Sequence, residues 1–267
     1  MRISRPYVIA AFVAVAAAAG IAAPAIAAEA AVGKYVALGD SYASGLGAGD
    51  YGDSGSCKRS ANAAPQLWAN SHAPSAFDFA ACSGAVTDDV LNGQIAAVTP
   101  DTELVTIAIG GNDAGFADVM TDCNLGSDDS CVSRNQEAQA FAQAELPGRL
   151  ANVYSAIRGA APDARVIVVG YPHIYQLGGE CSVGLSETKR AAINQSADVL
   201  ADVTSAAASG AGFEFVDART AFAGHEICAP GDDWWLHSIT FPIEESYHPT
   251  ASGQSDGYLA ALVGVTG

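Results

Sequence analysis

Positive charge is what this chain most lacks. It has 12 Lys and Arg against 29 Asp and Glu, a formal net charge of −17. A surface that acidic repels nucleic acid and anionic membrane surfaces, so neither is an expected partner. It does not exclude neutral lipid or an ester droplet. Long apolar runs are missing after residue 30, which excludes an integral membrane segment from the mature chain. No CxxC pair is present and the cysteines are scattered, which argues against a metal site. No composition break, Pro/Ser-rich linker or internal repeat divides residues 31–267, so they read as one domain.

The first thirty residues stand apart. Arg2 and Arg5 precede a nearly unbroken apolar run from Tyr7 to Ala23, and Ala25-Ile26-Ala27 supplies a small–x–small cleavage pattern. Residues 1–27 therefore read as a secretory signal peptide, with the cut falling as late as residue 30. An uncleaved anchor is the alternative, but the run is short for a span. Losing Arg2 and Arg5 leaves 10 basic against 29 acidic residues, a charge of −19. The expected location is extracellular. The six cysteines of an exported chain then read as three disulfides. Pairing in sequence order, Cys57–Cys82, Cys123–Cys131 and Cys181–Cys228, is the simplest arrangement, and others stay open.

Short apolar runs alternate with longer amphipathic ones. The strand candidates are 34–38, 76–80, 104–109, 165–169 and 213–216, and their Val and Ile content suits burial on both faces. Helical spacing lies between them. Thr87 is a candidate cap ahead of Asp88 and Asp89, and Ser186 a cap ahead of 187–208. A long helical stretch over 135–157 should kink or break at Pro147, and 252–263 forms a last helix. This alternation predicts an α/β fold with a parallel sheet covered on both faces. Three cysteine-bearing segments, 50–61, 121–133 and 217–246, fit neither period and are expected as loops.

Three strand ends carry small polar clusters: Gly39-Asp40-Ser41, Cys82-Ser83-Gly84-Ala85 and Gly110-Gly111-Asn112-Asp113. In a parallel sheet they share one edge, where ligands bind. The Ser41 hydroxyl is a nucleophile if a base can take its proton, and a plain helix cap otherwise. The N–H groups of Ser41 and Gly84 and the amide of Asn112 could donate to one developing oxyanion. Ordinary turns and a capping Asn112 are the alternative. Of five histidines, His248 sits between Tyr247 and Pro249, on a loop leading into the last helix, and is the best-placed base. No serine here fits G-x-S-x-G, which disfavours the nucleophile-elbow hydrolases.

GDSY at 39–42, CSGA at 82–85, GGND at 110–113 and ESYHPTASG at 245–253 resemble, in order and spacing, the four blocks of the GDSL, or SGNH, hydrolases. SCKRS at 56–60, IGGNDAGFAD at 109–118, GLSETKRAAIN at 184–194 and WLHS at 235–238 resemble the secreted bacterial lipase/esterase branch, which includes phospholipase A1 activity. The resemblance implies a three-layer α/β/α sandwich whose five-stranded parallel sheet has the flavodoxin-like order 2-1-3-4-5. It implies Ser41 as nucleophile and His248 as general base. It also implies an oxyanion hole of Ser41, Gly84 and Asn112, no metal or organic cofactor, and the sequence-order disulfides. Many members carry Asp three residues before the histidine, where this chain has Glu245. In the branch it resembles, a backbone carbonyl near Ser246 orients the histidine instead. Either group could fix the imidazole tautomer, and the carbonyl is the expected one, because glutamate is a methylene longer than aspartate.

The expected function is thus hydrolysis of lipid-like carboxylic esters by a secreted monomer. A carbohydrate deacetylase on the same fold is the enzymatic alternative, with Trp234 and Trp235 as a possible sugar platform. A non-catalytic secreted binding protein is the third reading.

Overall fold

A computed structural model describes residues 1–3, 33–231 and 233–267. Beyond its first three positions, the expected signal peptide lies outside the described residues. The strands are β1 (Lys34–Gly39), β2 (Ala76–Phe79), β3 (Thr102–Ala108), β4 (Arg165–Val169) and β5 (Glu214–Val216). All pair in parallel, in the order β2-β1-β3-β4-β5. The helices are α1 (Ser41–Ser44), α2 (Ala64–His72), α3 (Thr87–Asn92), α4 (Phe116–Leu125), α5 (Asp128–Ala144), α6 (Leu146–Ala160), α7 (Glu187–Gly210), α8 (Ala218–Ala221) and α9 (Ala260–Thr266). A π-helical stretch, Gly253–Leu259, runs directly into α9.

The alternation of side chains along a strand divides the core in two. Val36, Leu38, Val105, Ile107, Val166 and Val168 face one side, against Val90 of α3 and Leu146, Leu150, Val153 and Ile157 of α6. Tyr35, Ala37, Leu104, Ile167 and Val216 face the other, against Trp68 of α2 and Leu262 of α9. Both faces of the central strands are covered, which is why they read as unbroken apolar runs. The three disulfides join Cys57 to Cys82, Cys123 to Cys131 and Cys181 to Cys228.

Three expectations need correction. Residues 121–133 are not a loop: they hold the end of α4 and the start of α5, turned at Gly126 and Ser127. Ser127 caps α5 by accepting from the Ser130 N–H, and Asp128 and Asp129 fill its first turn. The Cys123–Cys131 bridge spans that turn. Thr87 does not cap α3: its N–H and hydroxyl both donate to the Asp113 carboxylate, at 3.0 and 2.6 Å. The long helix breaks at Glu145, two residues ahead of Pro147, because proline fits the first turn of the new helix α6. Ser186 does cap α7, accepting from the Lys189 N–H.

Candidate active site

The site is built on the carboxyl edge of the sheet. β1 and β3 end in register, Gly39 opposite Ala108. The Asp40 N–H donates to Ala108 O and the Cys82 N–H to Gly39 O, each at 3.0 Å. The turns that carry Ser41, Gly84 and Asn112 therefore open from adjacent strand ends. Gly39 has φ +127°, and a Cβ there would meet Ala108 O at 2.2 Å, so this turn requires glycine. The Gln94 amide clamps the same residue, accepting its N–H at 2.7 Å and donating to its carbonyl at 2.8 Å.

Asp40, not Ser41, caps α1. Its Oδ1 accepts the Tyr42 N–H at 3.0 Å and its Oδ2 accepts the Tyr171 hydroxyl at 2.5 Å. Burial pushes the Asp40 carboxyl up to about 7, against the pull of those two donors. With the cap filled, the Ser41 hydroxyl is left to meet His248, whose Nε2 lies 2.8 Å from Ser41 Oγ.

His248 is held on every side. Its Nδ1 lies 3.0 Å from Ser246 O. An N–H on Nδ1 donating to that carbonyl leaves Nε2 as an acceptor for the serine proton. The His237 N–H donates to His248 O and the Tyr247 N–H to His237 O, both at 2.9 Å. The Tyr42 hydroxyl donates to Tyr247 O at 2.6 Å. Tyr247 itself sits at φ +66°, a costly conformation for a bulky residue, kept by these surroundings. Gly47 lies against the imidazole's base: a Cβ there would meet Pro249 O at 2.6 Å and His248 Cβ at 3.1 Å. Burial drives the His248 imidazole down to about 4.

The Glu245 carboxylate takes another partner. It accepts the Tyr51 hydroxyl at 2.6 Å, and Tyr51 accepts the Gly47 N–H at 2.9 Å. The other four histidines are committed elsewhere. His72 stacks on Trp68, His173 pairs with Asp198, His225 stacks on Trp235, and His237 Nε2 contacts Gly47 O at 2.8 Å.

Asn112 lines the same pocket as Ser41, and one of its amide hydrogens is taken by Ala85 O at 3.0 Å. That bond ties Asn112 to the turn of Gly84. Gly84 adopts φ +83°, with open space where a Cβ would stand. Among the described residues, neither the Ser41 nor the Gly84 N–H donates to a protein acceptor. Two backbone N–H groups and one amide hydrogen are thus left without a protein acceptor among the described residues.

Beside Ser41, an apolar pocket runs between α5 and α7. Ala138, Ala142, Ile193, Ala197 and Leu200 line it, and it is partly open to solvent. Trp234 donates to Ala229 O and Trp235 packs on His225 and Phe222.

Sequence reasoning missed Tyr51, Tyr171 and Gln94. Tyr171 follows β4 after one glycine, at the same sheet edge as Ser41, and that position was its one available signal.

Residues 37–255 match the model of the GDSL-like Lipase/Acylhydrolase family. The chain is 57% identical over 232 residues to Lipase 1 of Streptomyces coelicolor, spanning 86% of this chain and 85% of that one. The solved structure of phospholipase A1 from Streptomyces albidoflavus superposes with a TM-score of 0.85 at 54% identity, covering 88% of this chain and 99% of that one. An extracellular lipase from Streptomyces rimosus does so with a TM-score of 0.85 at 55% identity, covering 88% and 100%. The matched range contains Ser41, Gly84, Asn112 and His248, and the chain belongs to the GDSL-like lipase/acylhydrolase family.

Proposed function

We propose that this chain is an exported carboxylic-ester hydrolase that cleaves lipid-like acyl esters through an acyl-enzyme on Ser41. The observation that carries the reading is the 2.8 Å contact between Ser41 Oγ and His248 Nε2 at the mouth of an apolar pocket. In the proposed reaction Ser41 Oγ attacks the ester carbonyl while His248 Nε2 takes its proton. The resulting imidazolium keeps its other N–H on Ser246 O. The N–H groups of Ser41 and Gly84 and the Asn112 amide receive the oxyanion. His248 then returns the proton to the leaving alkoxide, and water, activated the same way, releases the acid. The low imidazole pKa keeps the base neutral and ready near pH 7.

The pocket between α5 and α7 favours long acyl chains over acetyl, because an acetyl group would leave most of its apolar wall unfilled. The likeness to a phospholipase A1 supports glycerophospholipids among the substrates. The three disulfides and the extracellular relative support export. Rates on acetylated xylan, long-chain p-nitrophenyl esters and phosphatidylcholine test the reading. Preference for the long-chain substrates is expected, and activity confined to acetylated xylan would instead select the deacetylase.

A further inference from the structure

Most large apolar side chains of this protein are buried, so those left in solvent stand out. Three of them fall within five residues: Ile239, Phe241 and Ile243 are 60%, 93% and 64% exposed. They alternate along one excursion of the chain, residues 238–246, flanked by His237 and Tyr247, next to the proposed catalytic histidine. At the neck, the Tyr247 N–H donates to His237 O and the His237 N–H to His248 O. Inside the excursion, the Thr240 N–H donates to Ser246 Oγ at 3.0 Å, and Ser246 is the residue whose carbonyl contacts His248 Nδ1. The apolar tip and the imidazole therefore ride on one rigid support. A fourth exposed side chain, Leu125, follows Asn124, which accepts the Tyr247 hydroxyl at 3.0 Å.

The charges on this segment choose its partner. Glu244 and Glu245 lie beside Ile243, Lys58 within 3.6 Å of Glu244 is their cationic neighbour, and the whole chain carries −17. An anionic surface is repelled, whereas an uncharged one meets only the apolar side chains. We propose that Ile239, Phe241 and Ile243 seat the enzyme on an uncharged lipid surface, a phosphatidylcholine bilayer being the form tested, with the Ser41–His248 pair at the edge of the contact. This rests on the lipid-ester reading above. It explains why the protein keeps a phenyl ring in water on the chain excursion that precedes His248: burial of such side chains at an acyl boundary supplies binding that the acidic surface cannot.

The test uses Ser41→Ala protein, which leaves the lipid intact, with and without the triple change Ile239→Ser, Phe241→Ser, Ile243→Ser. Co-sedimentation with phosphatidylcholine vesicles should weaken by about tenfold or more in the triple variant. Phosphatidylglycerol vesicles should bind either protein less than phosphatidylcholine does. With Ser41 restored, the triple variant should cleave a soluble butyrate ester at the normal rate and lose vesicle hydrolysis at low lipid. Equal vesicle binding by the two proteins would overturn the proposal. So would loss of soluble-ester activity in a normally folded triple variant, or a wild-type dimer that the three changes dissolve. If the wild-type enzyme cleaves no soluble ester at all, the functional reading fails, and vesicle binding still decides the surface.

Discussion

The Glu245 carboxylate is hydrogen-bonded to the Tyr51 hydroxyl at 2.6 Å, on a residue 194 positions earlier in the chain. The acid nearest the histidine in sequence is thereby occupied in bracing the Gly47 turn. Glu245→Ala should lower turnover by less than about tenfold, a barrier change under roughly 1.4 kcal/mol. If the carboxylate held the tautomer, the loss would approach about 10⁴, as when the acid of a Ser-His-Asp triad is removed. Turnover of a soluble ester by the folded variant separates the two.

The acid limb of the pH profile follows from the buried imidazole. The proposed general base works only when neutral, and burial holds the His248 imidazole below the ordinary value of 6.5, down to about 4. kcat/KM, which reports the free enzyme, should stay level as pH falls through 6.5 and drop only near 4. A midpoint at the ordinary histidine value would contradict the burial described for this site.

Much of the frame was legible in the sequence because buried parallel strands are apolar runs that end abruptly at small residues. Gly39 ends β1 and Gly110 follows β3 by two residues, and each has a positive φ. Ser41 and His248 stood within recognisable blocks. Their supporting contacts were not legible. Tyr171 reaches Asp40 across 131 residues and Gln94 clamps Gly39 across 55, and no local pattern encodes such pairs. Residues 121–133 looked like a loop because Gly126-Ser127 punctuates them and their mostly polar side chains hide the helical period. Those residues are a stop signal and a cap, one after the other.

Asp40 predicts a second pH effect, on stability. Its carboxyl rises from 3.8 to about 7 on folding, so the folded protein holds this proton more firmly than the unfolded chain does. The stability this confers is complete below the unfolded value and is lost as pH rises through about 7. Asp40→Asn keeps an acceptor oxygen for the Tyr42 N–H, turns an NH2 donor toward the Tyr171 hydroxyl oxygen, and cannot ionise. Between about pH 5 and pH 9, the melting temperature of the wild-type protein should fall by more than that of the variant. Parallel curves would remove Asp40 as the source.

The proposed acyl site between α5 and α7 makes chain length adjustable. Ala138→Phe fills space that a long chain would occupy. Long-chain ester hydrolysis should fall by about tenfold or more relative to acetate ester hydrolysis, since each excluded methylene forfeits about 0.8 kcal/mol of burial. Melting curves show whether the larger ring also costs stability, for which about 1–3 kcal/mol is typical of overpacking. An unchanged long-to-short ratio would mean that the chain lies elsewhere.

The most direct measurement is the site and rate of labelling by a fluorophosphonate, read by mass spectrometry of the intact protein and its peptides. One adduct is expected, on Ser41, with a labelling rate lower by several orders of magnitude in His248→Ala, as when a nucleophile loses its base. An adduct on another residue would contradict it. So would labelling of Ser41 that proceeds equally fast without His248.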